Sequence, residues 1–166
     1  MFMSSLQRQF EKFHQNIKLE RFKENNKLRE KRDIILDKLR NRIKIVFEDM
    51  DEAVPAWDWF NQGSYEMGTG IKPLNGGDYD IDIGVYFELD VDKYKDPVEV
   101  KQWVCKALDG HTNSVDIKEP CVRVEYSVGG EPKYHVDLAI YGYEEGIILS
   151  DTYQLARGKL NFIMDK

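Results

Sequence analysis

The stretch Gly76–Asp90, GGDYDIDIGVYFELD, changes chemistry at every second residue. Successive side chains on a strand point to opposite faces, so Tyr79, Ile81, Ile83 and Val85 share one face. Asp78, Asp80, Asp82 and Gly84 share the other. A second run, Tyr134 to Tyr141, sorts the same way. Tyr134, Val136, Leu138 and Ile140 form an apolar face, opposite His135, Asp137, Ala139 and Tyr141. A chain holding two such runs must build a sheet that buries one face and leaves acids on the other. If the strands are neighbours, Asp137 can be placed beside Asp80 and Asp82.

The rest of the chain supplies cover for that sheet. Ser4–Met50 reads as a long helix broken at most once, with Ser4 and Gln7 resembling a capping box. Phe10, Phe13 and Ile17, then Ile35, Leu39 and Ile43, recur at helical spacing. Lys and Arg fill the other faces, as a solvated surface or as a spine bordering a phosphate-rich cleft. Pro55 ends this region and the aromatic segment AWDWFNQ follows. GSYEMGTGIKPLNGG is rich in glycine and suits a loop or tight turns. Tyr79–Leu89 is expected as a strand and Val98–Leu108 as a helix. Residues 120–143 then form a hairpin turning at Gly129-Gly130. Ser150–Met164 reads as the start of another helix, capped by Ser150 or Asp151. The order of elements predicts α/β (α+β) with a small, largely mixed sheet. Three regions are expected: a helical spine over 1–50, a core over 51–149, and the start of a C-terminal helical region over 150–166.

At 166 residues and 42% apolar, the chain can bury one ordinary core. No apolar run approaches the roughly 18–20 residues of a membrane span. Cys105 and Cys121 fit no CxxC or Cys/His ligand pattern, so reduced thiols in a cytoplasmic protein are expected. The net charge of −6 hides an asymmetry: residues 1–44 hold 13 Lys/Arg against 6 Asp/Glu, the remainder 11 against 24. An acidic body with a basic N-terminal segment argues against wholesale wrapping of nucleic acid. A local basic surface for phosphates stays open.

Acids on an exposed sheet face can serve only to prevent aggregation. Placed side by side, however, carboxylates about 4 Å apart repel by ~1 kcal/mol in bulk water, and by more in a cleft. A divalent cation removes that penalty. Mg²⁺ takes oxygen ligands and keeps positions open for water and phosphates, so two or three carboxylates are an ordinary protein share. A second feature, QGSYEMGT, lies upstream. Gly63 lets backbone approach an anion closely, and Ser64 offers a hydroxyl and an amide at an expected helix start. A lone Gly-Ser carries no weight. Followed by a Gly-rich loop, a D-x-D strand and a later apolar-Asp-apolar strand, it becomes a composite and fairly specific signal.

This order of Gly-Ser, DIDI and VDL resembles the nucleotidyltransferase superfamily built on the DNA polymerase β palm. Within it, the chain looks most like the cyclic GMP-AMP synthase-like enzymes of bacterial antiphage defence, the CD-NTases. The long N-terminal helix, the long loop between Ser64 and Asp80, and the hairpin CVRVEY…YHVDLAIY carry that likeness. Small toxin-type nucleotidyltransferases and CCA-adding enzymes usually link glycine and aspartates more tightly. By position, Asp80, Asp82 and Asp137 match the family's metal-binding catalytic acids, and Gly63 and Ser64 the residues that hold the donor triphosphate. DYDI also fits the motif, which leaves Asp78 as a register alternative. Asp80 and Asp82 are preferred because they sit just before the apolar continuation IGVYF.

The resemblance implies Mg²⁺, or Mn²⁺, as cofactor. It implies ATP or GTP as substrates, with a nucleotidyl group transferred to another nucleotide's hydroxyl and pyrophosphate released. Asp137, or a metal-bound water near it, is the expected destination of the hydroxyl proton. The product would be a cyclic or linear oligonucleotide that activates an effector, and a protein partner or activating ligand is open. Lys72 could reach a phosphate from its loop, or remain a solvated lysine. His135 is a base candidate or a supporting residue, and Arg123 points into the cleft or into solvent. Tyr65, Tyr79 and Tyr141 could stack on a base or only pack the sheet. Relatives carry a helical half after the third aspartate, whereas 29 residues follow Asp137 here. That half is expected to be missing, so a non-catalytic nucleotide- or cyclic-dinucleotide-binding module is the alternative. A toxin-type enzyme acting on a macromolecule is weaker, since the acidic body weighs against tRNA.

Overall fold

A computed structural model describes residues 5–18, 23–73, 77–90, 93–143 and 154–158. Two helices open the chain, α1 (Ser5–Ile17) and α2 (Lys23–Glu48). There follow β1 (Trp57–Gln62), the single turn α3 (Gly63–Glu66), β2 (Tyr79–Glu88) and α4 (Pro97–Leu108). Three strands, β3 (Ser114–Ile117), β4 (Val122–Val128) and β5 (Glu131–Tyr143), lead to the short β6 (Gln154–Leu155).

The strands form one mixed sheet in the order β1-β2-β5-β4-β3, with β6 paired to β5. β2 and β5 are parallel, and the other pairings are antiparallel. A parallel pair cannot be joined by a tight turn, and here the chain passes through α4, β3 and β4 between its two members. The β4–β5 turn needs Gly129 and Gly130, whose φ angles of 65° and 89° suit a two-residue hairpin.

Period-2 alternation delivers the core to one face. Ile81, Ile83, Val85 and Phe87 from β2 meet Val136, Leu138 and Ile140 from β5, all fully buried. The stripe Leu28, Ile35, Leu39 and Ile43 of α2 and Trp103, Val104 and Leu108 of α4 close over them. Trp103 sits at the junction, with ring centroids 4.8 Å from Phe47 and 6.1 Å from Phe87. α4 starts where Asp96 accepts from the Val98 amide at 2.9 Å, with Pro97 in the first turn. Among the described residues, no helix is long and apolar enough to cross a membrane.

The helical region expected over 4–50, with at most one break, is the pair α1 and α2; Ser4 lies outside the described residues. Other expectations change. The aromatic segment AWDWFNQ supplies β1, and the stretch between α4 and the hairpin supplies β3; these are the two outer strands of the five-strand path. The helix expected over 150–164 is not formed where the chain is described: Gln154 and Leu155 pair with Gly142 and Tyr141. Open backbone donors and acceptors on β5 outweigh a local helical pattern this short. The rest of that expectation lies outside the described residues.

Within the helical layer is a lysine that no sequence pattern announces. Lys101 on α4 is fully buried, and its Nζ donates to the carbonyls of Lys118 (3.1 Å), Glu119 (2.6 Å) and Gly158 (2.8 Å). One ammonium thus ties α4 to the β3–β4 connection and to the segment after β6. Burial pushes its pKa down.

Candidate active site

The acids lie on the sheet face opposite α2 and α4. Asp82 pairs in register with Asp137 across the parallel β2–β5 ladder, and Asp80 pairs with His135. Neighbouring strands run about 4.8 Å apart, so the Asp82 and Asp137 side chains rise beside each other from the same face. Asp80 is exposed two residues before Asp82, and Asp82 is half-buried. Asp78 is exposed and precedes the first residue of β2.

Antiparallel pairing of β1 aligns Gln62 with Asp82 on the other side of β2. The chain then turns sharply through Gly63, at φ +66°, into α3. A Cβ on Gly63 would stand 2.1 Å from Asp82 Oδ2, 2.9 Å from Cγ and 3.0 Å from Cβ. The Gly63 backbone therefore lies flat against the Asp82 carboxylate, which only glycine permits. Ser64 follows in the same turn, its carbonyl accepting from the Thr69 amide at 2.9 Å.

Burial, then the charges of Asp80 and Asp137, raise the Asp82 pKa; His135 and Arg123 pull it the other way. Asp137 is held differently. Arg123, its register partner on β4, donates from Nε to Oδ1 at 2.8 Å and from a terminal nitrogen to Oδ2 at 2.7 Å. Cys121 is buried nearby, and burial followed by the Asp137 charge pushes its thiol up to about 12.

Other residues singled out in the sequence are placed clearly. Arg123 lies on the acid face, paired with Asp137. His135 lies half-buried on the acid face, level with Asp80. Lys72 is exposed and its amide donates to the Ile17 carbonyl at 2.7 Å, which sets it beside the end of α1. Tyr79 lies on the core face, stacked on Tyr134 with centroids 5.6 Å apart, so a base-stacking role is replaced by packing. Tyr65 turns toward α2, where Arg29 meets both its hydroxyl and its ring.

Tyr141 belongs to an aromatic floor that continues the acid face. Its ring lies 5.8 Å from Phe60, and its hydroxyl donates to Gln62 Oε1 at 3.1 Å. Phe60 covers Gly84, where a Cβ would fall 2.3 Å from the Phe60 ring. Phe60 and Gln62 are additions to the sequence reading, because aromatics on both faces of WDWFNQ blur its alternation. Beside Ser64, on the α2 side, a cavity of about 630 Å³ is bordered by Asn25, Arg29, Arg32, Asn61 and Glu66. None of the three aspartates lines it.

Asp80, Asp82 and Asp137 supply the all-oxygen donor set that a hard divalent cation takes. Among the described residues, no three His, Cys, Asp or Glu side chains converge on a metal position. At Asp137 both oxygens are turned toward Arg123 in this conformation. The set fits by donor type and strand register.

A mixed sheet with paired acids at its centre and a glycine-serine turn against them defines the class as a nucleotidyltransferase domain. The family described as cyclic GMP-AMP synthase DncV-like, nucleotidyltransferase domain, matches residues 58–141, and the chain belongs to that family. Among solved structures, Vibrio cholerae DncV cyclic AMP-GMP synthase is similar at TM-score 0.63 and 17% identity, over 87% of this chain and 52% of that one. The same enzyme in complex with the linear intermediate 5′ pppA(3′,5′)pG gives 0.62 at 17%, over 87% and 52%. Escherichia coli DncV in its 3′-deoxy GTP bound form gives 0.62 at 18%, over 87% and 53%. At these identities the likeness is one of fold, and the chain spans about half the length of those relatives. No curated protein matches the sequence.

Proposed function

We propose that this chain is the catalytic nucleotidyltransferase part of a cyclic or linear oligonucleotide synthase of antiphage defence. It would join ATP or GTP units with release of pyrophosphate. The observation that carries the reading is the contact of the Gly63 backbone with the Asp82 carboxylate, with Asp137 in register alongside. It puts a turn able to cradle a triphosphate against the acids that would neutralise it.

In this reading Asp80, Asp82 and Asp137 hold Mg²⁺ or Mn²⁺. When bound, the cation offsets phosphate charge and lowers the pKa of the attacking hydroxyl. The protein mainly positions groups and offsets charge, as phosphoryl transfer requires. Gly63 and Ser64 hold the donor phosphates, Lys72 is a further candidate for them, and Asp137 receives the hydroxyl proton. A cytoplasmic setting, a protein partner or activating ligand, and no dependence on nucleic acid belong to the same proposal.

The fork of Arg123 on Asp137 favours a second reading, a nucleotide-binding module without turnover. Incubation with Mg²⁺ and each labelled NTP, followed by phosphatase, separates the two. Resistant product from the wild type but not from Asp82→Asn supports catalysis. Metal-dependent NTP binding with no product under any metal supports the module. Binding and activity that survive both Asp80→Asn and Asp82→Asn refute the site.

A further inference from the structure

We propose that Arg123 is a stand-in cation that holds Asp137 when no metal is bound and competes with the metal for it. The inference rests on the proposed metal site. Asp137 and Arg123 face each other directly across the antiparallel β4–β5 ladder, so the pair is set by strand register. Both Asp137 oxygens accept from the guanidinium, at 2.8 and 2.7 Å, and the Asp137 side chain is only 14% exposed. A carboxylate this buried needs a positive partner, and a planar two-pronged donor suits it best.

Among the described residues, neither Asp80 nor Asp82 has an ion-pair partner. Among the described residues, the guanidinium hydrogen-bonds to Asp137 alone, on the β4 side. A divalent ion level with Asp82 and Asp137 would draw on both carboxylates and would meet the guanidinium charge already held on Asp137. Metal binding and the Arg123 pair are therefore linked equilibria, and the pair raises the free-metal concentration at which the third acid joins the site. Arg123 acts through Asp137, as a positioning residue.

Binding of Mn²⁺ alone to the full chain, measured by the electron paramagnetic resonance of the free ion, tests this. Arg123→Gln should bind Mn²⁺ about tenfold more tightly than the wild type, the scale of one partly exposed charge-assisted pair. Arg123→Lys, with a single-point donor, should fall between them. In an Asp137→Asn background, Arg123→Gln should change nothing. The rise in melting temperature on adding Mn²⁺ should also be larger for Arg123→Gln than for the wild type. Equal or weaker Mn²⁺ binding by Arg123→Gln overturns the proposal, and if that variant does not fold, the same comparison with Arg123→Lys decides it. Should Asp80→Asn and Asp82→Asn leave Mn²⁺ binding unchanged, the metal-site reading itself fails. Should they weaken it while Arg123 variants do not tighten it, only the competition fails.

Discussion

Replacing Gly63 by alanine puts the Gly63–Asp82 contact to a quantitative test, because the protein contains its own controls. Gly63, Gly110 and Gly129 have φ of 66°, 65° and 65°, so alanine meets a left-handed φ at each. That strain costs roughly 1–2 kcal/mol. At Gly110 and Gly129 nothing lies within 4 Å of the added Cβ, so strain is the whole cost. At Gly63 the Cβ meets Asp82 Oδ2 at 2.1 Å, and turning the carboxylate away does not relieve the 3.0 Å approach to Asp82 Cβ. Backbone must shift as well, for about a further 1–3 kcal/mol. Urea unfolding should therefore rank Gly63→Ala below both controls by at least 1 kcal/mol. Displacing Asp82 from the site should also lower nucleotidyl transfer by about 10²-fold, the usual scale for a 1 Å misplacement. In the double variant Gly63→Ala/Asp82→Ala, losing the carboxylate removes the closest clash, so the two stability effects should be less than additive. Equal losses at all three glycines, or strict additivity with Asp82→Ala, would refute the contact.

Three further outcomes follow from the same geometry. Asp82 has a raised folded pKa, so its ionised form opposes folding, and this cost appears as pH rises above the ordinary carboxylate range. Asp82→Asn should thus stabilise the metal-free protein at pH 7, on the order of 1 kcal/mol, with the gain shrinking as pH falls through the raised pKa; a pH series of urea midpoints checks it. Lys101→Met removes three hydrogen bonds from a buried ammonium and leaves three carbonyls to find other donors, which should cost about 2–4 kcal/mol in urea unfolding. Gly84→Val forces the Phe60 ring off the sheet, which should cost about 1–3 kcal/mol in urea unfolding.

The faces of β2 and β5 were legible because strand alternation is local: Ile81, Ile83, Val136 and Leu138 pointed inward and Asp80, Asp82 and Asp137 outward on period alone. The hairpin turn was legible too, since Gly129 and Gly130 supply the φ that it demands. β1 was less so, because Trp57, Trp59 and Phe60 put aromatics on both faces of one short strand and blur its alternation. Residues 154–155 carried a helical pattern and became a strand, because a nearby ladder edge offered backbone partners that no local pattern records.

By itself, then, the sequence determined the class of chemistry. Acids on one face of a strand, with a glycine-serine turn ahead of them, are consequences of residue order and the two-residue period. Tertiary structure decided how those pieces meet. Parallel pairing of β2 with β5 levels Asp82 with Asp137 rather than with His135, a choice made by how Ile81, Ile83, Val136 and Leu138 pack beneath. Pairing of β1 presses Gly63 onto Asp82, and pairing of β4 gives Asp137 to Arg123. Register between strands is set by burial across the whole sheet, and no window of sequence contains it.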